Sequence, residues 1–274
     1  MTDGWVHWNG KLQPAAEASV STADRGLLLG WGCFETLQAL GGQPYAFTRH
    51  FLRLEAGALA LGLAAPEKEE LLGHCRAVLE ANGPEKARLR ITLTAGPDEG
   101  APSLLIATSA LPQRAATSRV LFSRRRRERG GGLTRLKTVS YLDNVLALRE
   151  ATRQGADESL LFDEAGQLCE GATSNVFLVR EGQVWTPPLS SGCLPGVTRE
   201  LVLELAAKFG LRCHQAAIDR ASLFQAEELF LTSSTRDVQG IAQCQDHLLE
   251  GAPGALTRQL QEAFHEWQRE VIDP

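Results

Sequence analysis

At 274 residues, with 43% hydrophobic and 22% charged residues, the chain has the make-up of a globular protein with one large core or two modest ones. A formal net charge of −5 argues against nucleic acid or an anionic membrane surface as the main partner. The opening MTDGWVHWNG lacks an apolar core of leader length and no run of 18 apolar residues occurs, so no membrane role and a cytoplasmic location are expected. Six cysteines without a C-x-x-C pair read as reduced, mostly buried thiols, and six histidines without ligand spacing give no reason to expect a metal.

In chain order, WVHW followed by NGK reads as a strand entering a turn, and CFETLQALGGQPYAF as a hairpin about Gly41 and Gly42. Phe47, Phe51, Leu54, Ala58 and Leu61 fall on one helical face. PEKEELLGHCRAVLEANG reads as a second helix, entered by Pro and left by Asn-Gly. ARLRITLTAG and SLLIATSAL are strands. Polarity then rises and periodicity lapses over LPQRAATS, which divides the chain into parts 1–114 and 115–274. The second part opens with RVLFS and the run RRRRERGGG, read as a solvated loop, with service to acidic substrates as the other possibility. A helix over 141–154 precedes a meander with turns at 164–166 and 181–182. Another helix starts at Val197, with apolar residues at 201, 202, 205, 206 and 209. The final helix carries Leu256, Leu260, Phe264, Trp267 and Val271 on one face. The fold class is α+β, in two parts, with the second rich in strands.

Four features ask for one chemical explanation. The stretch SGCLPGVTREL delivers a helix start behind a glycine, with unpaired N–H groups suited to an anion such as phosphate; the ordinary reading makes Thr198 a cap. Of five lysines, Lys11, Lys68, Lys86 and Lys208 have mundane settings, whereas Lys137 sits between an apolar residue and a strand-like Thr-Val. Glu170 lies in a Gly-rich turn, and the hydroxyls of LTSSTR at 232–235 follow an apolar strand. Singly, these are an ion-paired lysine, a solvated glutamate and a strand end. Together they are what pyridoxal phosphate requires: a lysine for its aldehyde, a carboxylate to keep the pyridine nitrogen protonated, and donors for the phosphate.

The order and wording of these segments resemble the class IV (fold type IV) pyridoxal-phosphate family of aminotransferases and aminodeoxychorismate lyase. The resemblance runs through DRGLLLGWGCFETL, RHFLRL, KTVSYLDNVLA, DESLLFDEAGQLCEGATSNVF, PPLSSGCLPGVTR and ELFLTSSTR. It implies a small N-terminal α/β domain, a larger barrel-like C-terminal domain, a cofactor in the cleft between them, and a homodimer. By the same resemblance Lys137 carries the cofactor, Glu170 partners the pyridine nitrogen, and Arg49 binds phosphate. Gly196, Val197 and Thr198 would meet the phosphate with Ser233 and Ser234, while Ser174 and Asn175 border the cofactor. Trp31 departs from the Asp that many members carry between two glycines, so the substrate side there is expected to be reshaped. The motif wording and chain length lean toward the lyase, which makes 4-aminobenzoate and pyruvate from 4-amino-4-deoxychorismate. Arg88, Arg90 and Arg236 would meet the carboxylates of that small-molecule amino substrate. The other reading is an aminotransferase acting on D-amino acids, branched-chain L-amino acids or (R)-amines.

Overall fold

A computed structural model describes residues 4–98 and 101–274. The chain forms two units, one of Met1–Pro112, Leu136–Tyr141 and Glu270–Pro274, the other of Gln113–Arg135 and Leu142–Arg269. The first crossing falls where polarity rises in the sequence. The sequence division does not foresee that the Lys137 segment and the last five residues return to the first unit.

In the first unit, alternation along the sequence fixes a sheet with one apolar face. Its strands are β1 (Trp5–Trp8), β2 (Lys11–Pro14), β3 (Gly32–Leu40), β4 (Gln43–Pro44), β5 (Lys86–Thr94) and β6 (Ser103–Ser109). They lie in the order β2-β1-β6-β5-β3-β4, with every pairing antiparallel. Ala87, Leu89, Ile91 and Leu93 of β5 point with Leu37 and Ala39 toward two helices, α2 (Phe47–Ala60) and α3 (Lys68–Asn82). Phe47, Phe51, Leu54 and Ala58 meet them from α2, and Leu71, Cys75, Val78 and Leu79 from α3. Each large aliphatic side chain buried there contributes about 1.5–3 kcal/mol. Phe34, Arg88 and Arg90 alternate with that set and take the opposite face. A short helix, α1 (Arg25–Leu29), starts on the Asp24 side chain, which accepts from Gly26 N at 2.7 Å. The N-cap of α2, Ala46, is left-handed (φ 53°) and has no capping side chain. Residues from the far end of the sequence do that work: Asp273 accepts from Thr48 N at 2.8 Å, and the Ile272 carbonyl from Ala46 N at 2.8 Å.

The second unit holds β7 (Thr117–Arg127), α4 (Leu142–Thr152), β8 (Glu158–Asp163), β9 (Leu168–Gly171), β10 (Asn175–Arg180) and β11 (Gln183–Thr186). It continues with α5 (Val197–Lys208), β12 (Cys213–Gln215), α6 (Arg220–Phe224), β13 (Glu228–Ser233), β14 (Asp237–Cys244), β15 (His247–Leu248) and α7 (Ala255–Glu270). The sheet runs β12-β11-β10-β13-β14-β7-β8-β9, with β15 on β14. Gly171 N donates to Ser174 O at 2.7 Å in the connection between β9 and β10. The far end of the path is thereby folded back on its third strand, which curls the sheet around Leu160, Phe162, Val176, Leu178 and Leu231.

Only the first four residues of the arginine run depart from the loop reading, residues 128–132 being irregular. β7 continues through those four to Arg127, because alternate arginines on the strand meet acids: Arg125 pairs with Asp143 at 3.0 Å and Glu150 at 3.1 Å, and Arg127 with Glu170. Arg124 and Arg126, at the alternate positions, face water. All six cysteines are free thiols, five of them buried. Among the described residues no helix is long and apolar enough to cross a membrane.

Candidate active site

Lys137 is set by a strand edge. Because β4 pairs only with Ala39 and Leu40, the Gly32–Phe34 edge of β3 is left for residues 137–139. Phe34 N donates to Lys137 O at 2.9 Å, Val139 N donates to Gly32 O at 3.0 Å, and Cys33 faces Thr138. With its backbone held, the lysine lays its Nζ 4.5 Å from the Phe34 ring centroid and 5.5 Å from that of Tyr141. Those two rings meet edge to face at 5.2 Å. Gly30 is required here: its φ is +67°, and a Cβ would fall 2.3 Å from the Ser140 hydroxyl, which donates to Gly30 O at 3.0 Å. Trp31 turns away from this shelf and donates its indole N–H to Leu61 O at 2.9 Å.

The Phe34 ring also carries Arg90, whose guanidinium carbon stands 3.8 Å from the centroid. Arg88, two residues earlier on β5 and therefore on the same face, donates to Ser109 Oγ at 2.9 Å. Burial, then the neighbouring Arg88 charge, holds Arg90 below the usual arginine value. An anion beside both would relieve that cost. Lys137, Arg88 and Arg90 thus share the sheet face that the helices leave uncovered.

Arg49 does not join them. Its Nε donates to Pro274 O at 2.9 Å, so the sequence-assigned phosphate arginine is engaged by the 272–274 segment. One helical turn further on, Arg53 occupies a more telling place. Its Nε and Nη2 each donate at 2.7 Å to the two oxygens of Glu35, which is 1% exposed and also meets His50 Nδ1 at 2.7 Å. Burial alone would raise the Glu35 carboxyl; Arg53 and then His50 override it and hold it well below the usual carboxylate range. His50 is pushed down by burial first, and the Lys137 charge adds to that depression. Arg53 lies within the RHFLRL motif, one turn past the arginine the sequence reading selected.

In the second unit Glu170 is buried and held on both oxygens. Arg127 Nε donates to Oε1 at 3.0 Å, and Leu194 N donates to Oε2 at 2.9 Å. The Leu194–Gly196 turn is fastened by Asn175, whose amide donates to Leu194 O at 2.9 Å. A Cβ on Gly196 would sit 2.0 Å from Asn175 Oδ1, which is why a glycine begins α5. That glycine brings no capping side chain, and Val197 and Thr198 behind it are buried. Thr232, cross-strand partner of Asn175, has a buried Oγ1 without a partner among the described residues. An orphaned hydroxyl beside an uncapped helix start suits a phosphate. Ser233 and Ser234 follow it at the end of β13.

Two sequence-assigned residues are turned elsewhere. Ser174 donates to Glu158 Oε2 at 3.0 Å, joining Thr173 on a carboxylate that is 0% exposed. Arg236 is aimed at the same carboxylate at 3.1 Å and donates to Ser118 Oγ at 3.1 Å and Gln239 Oε1 at 2.6 Å. Burial lowers it to about 10, with Glu158 opposing that shift. The network braces β7, β8 and β14 through the Arg236 guanidinium. Thr232 is the first of the hydroxyls that LTSSTR offers, whereas nothing local marks Glu158, which opens the half-polar strand ESLLFD, or Arg127 within its basic run.

Each unit, taken by itself, carries groups that suit part of pyridoxal phosphate, and the two sheets are those of the fold type IV enzymes that use it. A family model described as amino-transferase class IV matches residues 32–244. A probable branched-chain-amino-acid aminotransferase of Thermotoga maritima is 32% identical over 94% of both chains. Aminodeoxychorismate lyase of Bacillus subtilis is 29% identical over 93% of this chain and 92% of its own. The solved branched-chain aminotransferase of Thermoproteus uzoniensis, with norvaline, superposes with a TM-score of 0.89 at 27% identity, covering 96% of this chain and 94% of that one. Another solved branched-chain amino acid aminotransferase, also at a TM-score of 0.89 and 26% identical, holds pyridoxamine 5'-phosphate. The chain belongs to the class IV aminotransferase family, whose cofactor is pyridoxal phosphate.

Proposed function

We propose that the protein is an aminodeoxychorismate lyase, releasing 4-aminobenzoate and pyruvate from 4-amino-4-deoxychorismate. The observation that carries this reading is the pair Arg88 and Arg90 on the sheet face of Lys137, two guanidiniums suited to a substrate with two carboxylates. When bound, the cofactor supplies an aldehyde to capture the substrate amine and a ring that withdraws electrons. Lys137 Nζ would take the proton from the carbon bearing the substrate amine; the ring C–O bond to the enolpyruvyl group then breaks, and the methylene carbon of that leaving group gains a proton to give pyruvate. Glu170 accepts the hydrogen bond of the pyridine N–H. The N–H groups of Val197 and Thr198, opened by Gly196 and held in place by Asn175, receive the phosphate together with the hydroxyls of Thr232, Ser233 and Ser234. Arg53, fixed by Glu35, takes the phosphate role that the sequence gives to Arg49. The exposed leucines Leu27, Leu28 and Leu29 support assembly as a homodimer.

A second reading, aminotransfer, is favoured by the branched-chain relative at 32% identity. There Lys137 would return the same proton on the cofactor side, water would release the keto acid, and the amino group would stay with the cofactor. A paired assay separates the two. Pyruvate release from 4-amino-4-deoxychorismate, without conversion of the cofactor to its amine form, supports the lyase. Bleaching of the cofactor band by D-alanine, an aliphatic L-amino acid or an (R)-amine, with no pyruvate formed, refutes it.

A further inference from the structure

The arginine run is the sequence feature that the reaction leaves unused, and the structure shows where one of its members goes. β7 and β8 pair in parallel with Phe122 beside Leu160, yet with Arg126 beside Phe162 and Arg127 beside Asp163. Four positions of β7 are thus spent against two of β8. In unbroken register Arg125 would stand beside Asp163. The bulge brings Arg127 there instead and leaves Arg125 to the acids of α4. Asp163 and Leu161 share one face of β8, and Leu161 is the cross-strand partner of Glu170 on β9. Arg127 therefore reaches along that face across the intervening strand to Glu170. Its Nε donates to Oε1 at 3.0 Å, and Nη2 closes on the same oxygen. Asp163, beside Arg127 on β8, is paired with Arg129.

We propose that Arg127 is a positioning residue for Glu170, fixing the rotation of its carboxylate through Oε1 while Leu194 N fixes Oε2. This rests on the reading of Glu170 as the partner of the pyridine nitrogen. A carboxylate held at both oxygens meets an N–H without first losing side-chain freedom, and a buried glutamate otherwise forfeits that freedom on binding. The bulge is the device that places the clamp.

The test compares the affinity of the full chain for pyridoxal phosphate with that for its deaza analogue, in which the ring nitrogen is replaced by C–H. Arg127→Met is expected to weaken pyridoxal phosphate by roughly 10- to 100-fold, the worth of a charge-assisted hydrogen bond, and to leave the deaza analogue nearly unaffected. Arg127→Lys keeps the charge without the fork, gives an intermediate loss, and supplies the comparison should the methionine variant fail to fold. Glu170→Gln is expected to abolish the preference for the nitrogen-bearing ring. If Arg127→Met keeps that preference while Glu170→Gln loses it, the clamp is refuted and the role of Glu170 stands. Equal weakening of both ligands by Arg127→Met makes Arg127 a brace of β7 and also overturns the proposal. If Glu170→Gln retains the preference, the underlying reading of Glu170 falls, and the clamp with it.

Discussion

Replacing Arg236 with methionine separates a structural arginine from a substrate-binding one. The side chain is 1% exposed and faces a Glu158 carboxylate that is 0% exposed. Removing the guanidinium takes away the charge paired with that carboxylate, a loss of about 3–5 kcal/mol for buried pairs, and leaves only the more distant charge of Arg114 acting on it. Glu158 keeps neutral donors at Thr173 Oγ1 (2.6 Å), Ser174 Oγ (3.0 Å) and Ser159 N (3.0 Å), which places the cost near the lower end, about 3 kcal/mol. For a unit of this size each kcal/mol lowers Tm by roughly 2–4 °C, so a fall of about 6–12 °C is expected. Removing both charges, with Arg236→Met and Glu158→Gln together, should recover much of that loss, because no buried charge is then left alone. Thermal melts of the holoenzyme read the effect, and steady-state kinetics on the same samples read KM. A melt unchanged from wild type with KM raised about tenfold, the mark of one lost charged contact, would refute the argument and return Arg236 to the substrate.

Three further outcomes follow from the geometry. His7 is buried with neither ring nitrogen hydrogen-bonded among the described residues, and burial, then the His74 charge, pushes it down to about 4. The unfolded chain binds a proton there near pH 6.5 and the folded one does not. Stability is therefore lost as pH falls from 6.5 toward 4, and His7→Leu should flatten the Tm–pH slope in that window; an unaltered slope refutes it. Arg49→Ala should leave affinity for pyridoxal phosphate nearly unchanged while Thr232→Val weakens it about tenfold and spares unphosphorylated pyridoxal; a tenfold loss in the arginine variant would restore the sequence assignment. Gly196→Ala drives a Cβ into Asn175 Oδ1 and breaks the Asn175–Leu194 hydrogen bond. A destabilisation of about 1–3 kcal/mol with weakened phosphate binding is expected, and a variant that melts and binds like wild type excludes it.

What could be read from the sequence was local in origin. The period along 86–94, the Asn-Gly and Gly-Gly turns and the helix face from Phe47 to Ala58 each state their own structure, and the glycine before Val197 announced a helix start. Features made by distant partners were not legible. The arginine run looks like a solvated loop because the acids that hold it lie at Asp143, Glu150 and Glu170. Arg49 and Arg53 are equally basic in RHFLRL. Only α2, with one facing the 272–274 segment and the other Glu35, tells them apart. The sequence marks Arg236 by its charge, and charge alone does not reveal a buried acid 78 residues away.

The return of residues 270–274 to cap α2 bears on the order in which the molecule can be completed during synthesis. The first unit lacks both the Lys137 segment and the cap of α2 when residue 112 leaves the ribosome. About 160 residues intervene before Asp273 follows, on the order of ten seconds or more at ordinary translation rates. Through that interval the helix bearing His50 and Arg53 has an unsatisfied N-terminus, and its sheet has an open edge at Gly32–Phe34 until the Lys137 segment arrives. The second unit is a nearly continuous stretch and meets no such delay. The half of the enzyme made first is therefore the half finished last, and a nascent chain halted before its final turn would present a lysine in place beside a helix not yet fastened.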